Sequence, residues 1–260
     1  MYGGIYRDVE LIVTDKTTVS PLYYGTDGVI VMPTKVSAES VEGSVKVALL
    51  GKKDTQCNVT VDVVSPDGYV ADTKSVKAKI DGKLLNIPFS VTNPELWSLH
   101  SPSLYRVDVV VGADTVSLNT GFRKLEITPQ QLLTLNGKQL PVRGVNLCHD
   151  NAKSANALTE SDYDADFATI KQMGANAIRS VEGPHSQMLY DKCDREGMLV
   201  WVDTPLCQSP FLSDIAFYNS DAFKQNGREQ LKEIILQNIH HPSVAMWGIF
   251  SLLRGRSADL

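Results

Sequence analysis

The hydrophobic pattern of this chain changes its period once, near residue 127, and that change divides it into two differently built halves. Before it, Val29-Ile30-Val31-Met32, Ser44-Val45-Lys46-Val47-Ala48-Leu49 and Val59-Thr60-Val61-Asp62-Val63-Val64 are rich in β-branched residues. The last two alternate apolar and polar side chains, so one face meets a core and the other meets water. Turn signals part them at Gly51-Lys52-Lys53-Asp54, Ser65-Pro66-Asp67-Gly68 and Asp81-Gly82-Lys83. Strands at this spacing, with no helical pattern between them, predict an antiparallel β-sandwich of about 100 residues.

Beyond residue 127 strand and helix alternate. Leu140-Pro141-Val142-Arg143-Gly144-Val145 reads as a strand, and Thr159-Glu160-Ser161-Asp162 opens a helix with a capping-box signature. Tyr163, Phe167 and Ile170 follow at helical spacing, ended by Gly174. A strand at 176–179, a helix at 186–196 stopped by Gly197, and a buried strand at 198–202 come next. A long helix at 221–239 places Leu231, Ile234, Ile235, Asn238 and Ile239 on one face, and residues 244–249 form the last strand. Apolar strands separated by helices mark a parallel sheet. A closed (β/α)8 barrel needs eight strands and about 250 residues, so four strands predict half a barrel or a small open sheet.

Composition narrows the function classes. The formal charge is -5, and no Lys/Arg cluster stands out, which disfavours nucleic acid. No apolar run approaches the roughly 20 residues that span a bilayer, so no membrane partner is expected. Met1-Tyr2-Gly3-Gly4 lacks the charged and apolar regions of a signal peptide. Cys57, Cys148, Cys193 and Cys207 are widely spaced with no CxxC pair, so reduced thiols are expected rather than a zinc site or disulfides. Asn58-Val59-Thr60 is a glycosylation triplet of a kind common by chance.

A series of motifs resembles glycoside hydrolase family 2, the β-galactosidase/β-glucuronidase kind. Gly3-Gly4-Ile5-Tyr6-Arg7-Asp8-Val9 resembles the last strand of its sugar-binding jelly roll. Trp97-Ser98, Pro102, Leu104-Tyr105 and Gly121-Phe122-Arg123 resemble the end of its immunoglobulin-like sandwich. Leu135-Asn136-Gly137-Lys138 with Arg143-Gly144-Val145-Asn146 resembles the first barrel strand. Cys193 to Trp201 resembles the second helix and third strand, and His241-Pro242-Ser243-Val244 with Met246-Trp247 the approach to the fourth.

The resemblance implies a multidomain β then α/β chain. Residues 1–16 would be a remnant of the jelly-roll domain, 17–126 an immunoglobulin-like β-sandwich, and 127–260 the first half of a TIM barrel of about four β/α units. It implies retaining hydrolysis of an O-glycosyl bond by two carboxylates about 5 Å apart, set at the carboxyl ends of barrel strands. The family's fourth strand runs from Trp to Asn-Glu, the Glu being the acid/base. Here Ser251 stands for the Asn and Leu252 for the Glu. Leucine has no proton to donate, and general acid/base catalysis contributes on the order of 10²–10⁴-fold. The nucleophile is expected on a later strand, so the chain as given is expected to be inactive.

Other pocket positions depart from the family as well. Asn146-Leu147-Cys148 replaces Asn-Arg-His, and Glu182-Gly183 after Arg179 replaces His-Tyr, while Asp203 is kept. Asn146, Cys148, His149, Asp150, Arg179, Glu182, Asp203 and Trp247 are therefore the pocket candidates, Trp247 as a sugar-stacking ring. Trp201 is expected in the core, Trp97 in the sandwich, and His240 and His241 as cations at a helix C-terminus. Cys148, His149, Asp150, Glu182 and Asp203 could ligate zinc or build a thiolate nucleophile. No spacing enforces such geometry, so residues left around a vacated sugar site, with no metal or cofactor, are the plainer expectation. The expected ligand is a β-galactoside or related carbohydrate. A carbohydrate-binding module without catalysis and an engineered half-barrel are the alternatives, and an open half-barrel edge predicts self-association.

Overall fold

The computed structural model describes residues 4–205 and 220–249. Short strands β1 (Thr18–Val19) and β4 (Leu49–Leu50) pair at one edge of the first half. The sandwich proper has a three-stranded sheet of β2 (Val29–Val36), β3 (Ser40–Val47) and β7 (Leu85–Thr92). Against it lies a four-stranded sheet of β5 (Gln56–Val64), β6 (Val70–Lys79), β8 (Tyr105–Val111) and β9 (Asp114–Thr120), in the order β6-β5-β8-β9. Every pairing in both sheets is antiparallel. The alternation read from the sequence places Val41, Val45, Val59, Val61, Val107 and Val109 between the sheets. Burying each such side chain stabilises by roughly 1.5–3 kcal/mol before the cost of ordering the chain.

A small sheet of β10 (Leu125–Ile127), β11 (Leu133–Leu135) and β12 (Lys138–Gln139) leads out of the sandwich. The second half follows as β13 (Gly144–Leu147), α1 (Glu160–Gln172), β14 (Ala177–Ser180), α2 (Gln187–Glu196), β15 (Leu199–Asp203), α3 (Asp221–Asn238) and β16 (Val244–Gly248). Its four strands are all parallel and lie in chain order. This is an immunoglobulin-like sandwich followed by part of a (β/α)8 barrel.

Local signals explain the helix ends. The Asp162 carboxylate accepts hydrogen bonds from the Thr159 N–H (2.8 Å) and hydroxyl (2.7 Å), completing the cap read from the sequence. Ser186 caps α2, and Gly197 ends it at φ +66. The first barrel strand begins later than expected, at Gly144 rather than Leu140. Pro141 has no N–H, and the Asn176 side chain takes the Arg143 N–H (2.7 Å) and the Pro141 carbonyl (2.8 Å) in place of a strand neighbour. Ile239 leaves the expected apolar face, since α3 ends at Asn238 and Ile239 is exposed.

The helices cover one face of the parallel sheet. Tyr163, Phe167, Leu189, Tyr190 and Ile234 pack there against Ile178, Val200 and Val202. The amino end of the sheet rests on the first half. Trp97, expected as a sandwich residue, lies fully buried against Leu135, Ala177 and Leu199. Its indole N–H donates to the Asp194 carbonyl (2.9 Å), while the Asn136 amide donates to the Trp97 carbonyl (3.0 Å). The Thr120 hydroxyl donates to the His240 carbonyl (2.8 Å). The Arg123 guanidinium donates to the carbonyls of Pro242 and Val244, and its burial pulls it down to about 10, so it stays charged at neutral pH. His240 is not the expected helix-end cation: burial and then the neighbouring His241 push it down to about 3.

Gly197 is required twice over, by its positive φ and because a Cβ there would lie 2.2 Å from the Leu99 carbonyl oxygen. Gly112 also has positive φ (+63), with nothing within 4 Å of a Cβ. Gly197→Ala should therefore cost at least about 2 kcal/mol and Gly112→Ala about 1 kcal/mol. Thermal unfolding of the two variants checks this, the larger fall in midpoint belonging to Gly197→Ala.

Candidate functional site

With the amino end of the sheet closed, its carboxyl end is left for chemistry. The pairing register sets Asn146, Arg179, Trp201 and Met246 side by side on the face opposite the helices. Trp201 is 38% exposed and Met246 36%, so Trp201 is not the core residue the sequence led us to expect. The Arg179 guanidinium lies 4.9 Å from the centre of the Trp201 ring. It also grips Asp203 with Nη2 2.9 Å and Nε 3.1 Å from Oδ2. Asp203 is 0% exposed while the Arg179 side chain is half-buried, so a two-pronged ion pair holds a buried carboxylate. Gly248 permits it: a Cβ there would sit 2.2 Å from Asp203 Oδ1 and 2.6 Å from Trp201 Nε1. Trp247 faces the other way and packs against the helix-covered core, so it is not on the face that carries Arg179 and Trp201.

Cys148, His149, Asp150 and Glu182 do come together, along a cleft of about 390 Å³ at the ends of β13 and β14. Asn146, Arg179, Asp203 and Trp247 are not among its walls. Tyr6, Asn156 and His185, which sequence reasoning passed over as site residues, complete it. Tyr6 and Arg7 come from the N-terminal segment, Arg7 Nη2 standing 3.4 Å from His149 Nδ1. The His149 and His185 rings stack at 4.8 Å. Burial, then the neighbouring Arg7, hold His149 below the usual histidine range against an opposing pull from Asp150. Burial, then His149, push His185 down to about 3. Both rings are therefore neutral at pH 7. His185 is 2% exposed, and neither of its ring nitrogens has a hydrogen-bond partner; nor has Asn156 Oδ1. Such orphaned atoms are rare in a folded chain and suit a bound water or hydroxyl.

This chemistry does not suit a thiolate. Burial, followed by Asp150 and Glu182, raises the Cys148 thiol above its ordinary range, which keeps the proton on sulfur at neutral pH. Nor is the cleft a zinc site among the described residues, where the one His/Cys/Asp/Glu group with converging ligand atoms lies elsewhere, at Asp191, Asp194 and His241. Glu182 (φ +65) and Gly183 (φ +138) form a turn of unusual backbone that carries the Glu182 side chain to the rim. Ser251 and Leu252 lie outside the described residues.

Two family profiles match adjoining stretches of this chain. "Glycosyl hydrolases family 2" covers residues 29–123 and "Glycosyl hydrolases family 2, TIM barrel domain" covers residues 125–251. The chain belongs to glycoside hydrolase family 2. A β-glucuronidase of Bacteroides fragilis is 33% identical over 97% of this chain and 38% of its own length. A β-galactosidase of Thermoanaerobacter pseudethanolicus is 26% identical over 96% of this chain and 32% of its own. The crystal structure of a β-glycosidase from Bacteroides vulgatus superposes with a TM-score of 0.85 at 25% identity, over 98% of this chain and 32% of that one. The chain thus spans about a third of the length of these family 2 relatives.

Two outcomes follow from the geometry. Arg179→Ala would strand the buried Asp203 carboxylate and should destabilise the second half by about 3 kcal/mol, read from denaturant unfolding. Alkylation of Cys148, followed by peptide mass mapping, should be slow at neutral pH and keep accelerating past about pH 9. A rate that levels off below neutral pH would contradict the raised thiol.

Proposed function

We propose that this chain is a glycosidase-like segment that does not hydrolyse glycosides by itself. The observation that carries the reading is Leu252, which the resemblance sets at the acid/base position. A hydrocarbon there can neither protonate a leaving group nor activate water. The departures at Cys148 and Glu182 support it, because they lie on one cleft at the carboxyl ends of β13 and β14. Change is thus concentrated where a sugar would sit, whereas the packing of both halves is intact.

Carbohydrate binding without cleavage is the second reading, favoured by the unpartnered His185 ring nitrogens and Asn156 Oδ1. Neutral imidazoles and an amide oxygen match the alternating donors and acceptors of sugar hydroxyls. The relatives point to β-glucuronides and β-galactosides as the sugars to try. Self-association belongs to the same proposal, since β13 and β16 each present an edge without a partner strand among the described residues.

Aryl β-glucuronides and aryl β-galactosides should release no more aryl alcohol with the protein than in buffer. Release well above buffer would overturn the reading, whatever the sugar. Calorimetry with glucuronic acid, galactose and lactose separates the second reading, which requires heat of binding that His185→Ala abolishes.

A further inference from the structure

The cleft at the ends of β13 and β14 has walls charged in one sense. Asp150 and Glu182 bring two carboxylates, and none of the described residues that line it is Lys or Arg. Its two imidazoles are neutral at pH 7, and the Cys148 thiol keeps its proton. The cation at hand, Arg7, stands outside those walls. Its guanidinium donates to His149 Nδ1 (3.4 Å) and lies 5.6 Å from the centre of the Tyr6 ring. A guanidinium only donates, so Nδ1 is the lone-pair nitrogen of His149 and Nε2 carries the hydrogen. The cleft is therefore graded. At His149 the pull of Arg7 exceeds that of Asp150, whereas Asp150 and Glu182 both bear on Cys148. Glu182 also stands where the family pattern has a histidine, so a side chain able to donate has given way to one that accepts.

We propose that this cleft selects a basic amino sugar, with its ammonium group at the Asp150–Glu182 end and its hydroxyls on His149, His185 and Asn156, and that it disfavours uronates. The ligand class rests on the carbohydrate-binding reading of the same cleft. An ammonium group has three donors and no lone pair, which suits carboxylates and leaves an imidazole N–H without an acceptor. Hydroxyls need partners of both kinds, and the other end supplies them. His185 is 2% exposed and holds one donor and one acceptor nitrogen, neither of them partnered, and Asn156 Oδ1 is a further open acceptor. A uronate brings a carboxylate instead. Beside Asp150 or Glu182 it would meet like charge. Turned round, it would find Arg7 already engaged with His149 and the Pro184 carbonyl (3.5 Å), outside the walls. At about 390 Å³ the cleft is at the small end for ligand pockets, which suits one sugar ring.

Calorimetry at about pH 7, where an amine of the α-amino kind is still protonated, compares galactosamine, N-acetylgalactosamine, galactose and glucuronic acid. Galactosamine should bind about tenfold more tightly than galactose, since a charge-assisted bond is the stronger one. N-Acetylgalactosamine, whose amide is uncharged, should bind no better than galactose, and glucuronic acid should bind most weakly. Glu182→Gln keeps the shape of the side chain and removes its charge. It should take away most of the tenfold preference and leave galactose affinity unchanged, which also shows that the variant folds. Glu233→Gln, an equal change of net charge on the exposed side of α3, should leave the preference intact. Equal affinity for galactosamine and galactose, or tightest binding of glucuronic acid, overturns the proposal while carbohydrate binding stands. A preference that survives Glu182→Gln, or that Glu233→Gln also removes, overturns the site given to the ammonium group. No heat with any of the four sugars overturns the carbohydrate-binding reading and the proposal with it.

Discussion

The buried hydrogen-bonded junction at Asp194 is the contact on which the arrangement of this chain depends. The halves meet on an apolar cluster that sets Trp97 and Leu135 against Ala177 and Leu199. Around it, Trp97, Thr120 and Arg123 donate hydrogen bonds to backbone carbonyls of the second half. Bonds of this kind contribute little when solvated and matter when buried, because breaking one leaves a desolvated group without a partner. Closing the amino end of the parallel sheet in this way leaves its carboxyl end as the open one, and both the Arg179–Asp203 pair and the cleft lie there.

The carboxyl end shows two kinds of polar arrangement. Arg179, Asp203, Trp201 and Gly248 interlock, each explaining the position of the next, and the buried Asp203 carboxylate is fully engaged by Arg179. The cleft beside it is the reverse, with neutral imidazoles, a protonated thiol and orphaned ring and amide atoms. A site built for proton transfer holds a group titrating near neutral pH. His185 is pushed far below that range and Cys148 above it, so these two suit the recognition of hydroxyls better than acid/base work.

Much of this was legible in the order of residues, and the exceptions have physical causes. The capping box at Thr159 and the stop at Gly197 are local, so they were read correctly. The first barrel strand was placed too early because Asn176, remote in sequence, takes the backbone groups around Pro141 and Arg143. Trp201 was assigned to the core by the apolar look of its strand, and Trp247 to the pocket by its place on a barrel strand. A parallel strand buried on one face and open on the other has no sequence mark for which is which, and the two rings proved to face opposite ways. His185 and Tyr6 carried no signal, since only the fold brings the N-terminal segment and the loop after β14 to one cleft.

The sequence alone determined the two-part plan, the membership in glycoside hydrolase family 2 and the leucine at position 252, because periodicity, turn chemistry and motif order are properties of neighbouring residues. The tertiary structure alone decided the pairing of Arg179 with Asp203, the neutral state of His185 and the bonding around His241. Those depend on burial and on partners many residues away, and desolvation has no counterpart in a linear string.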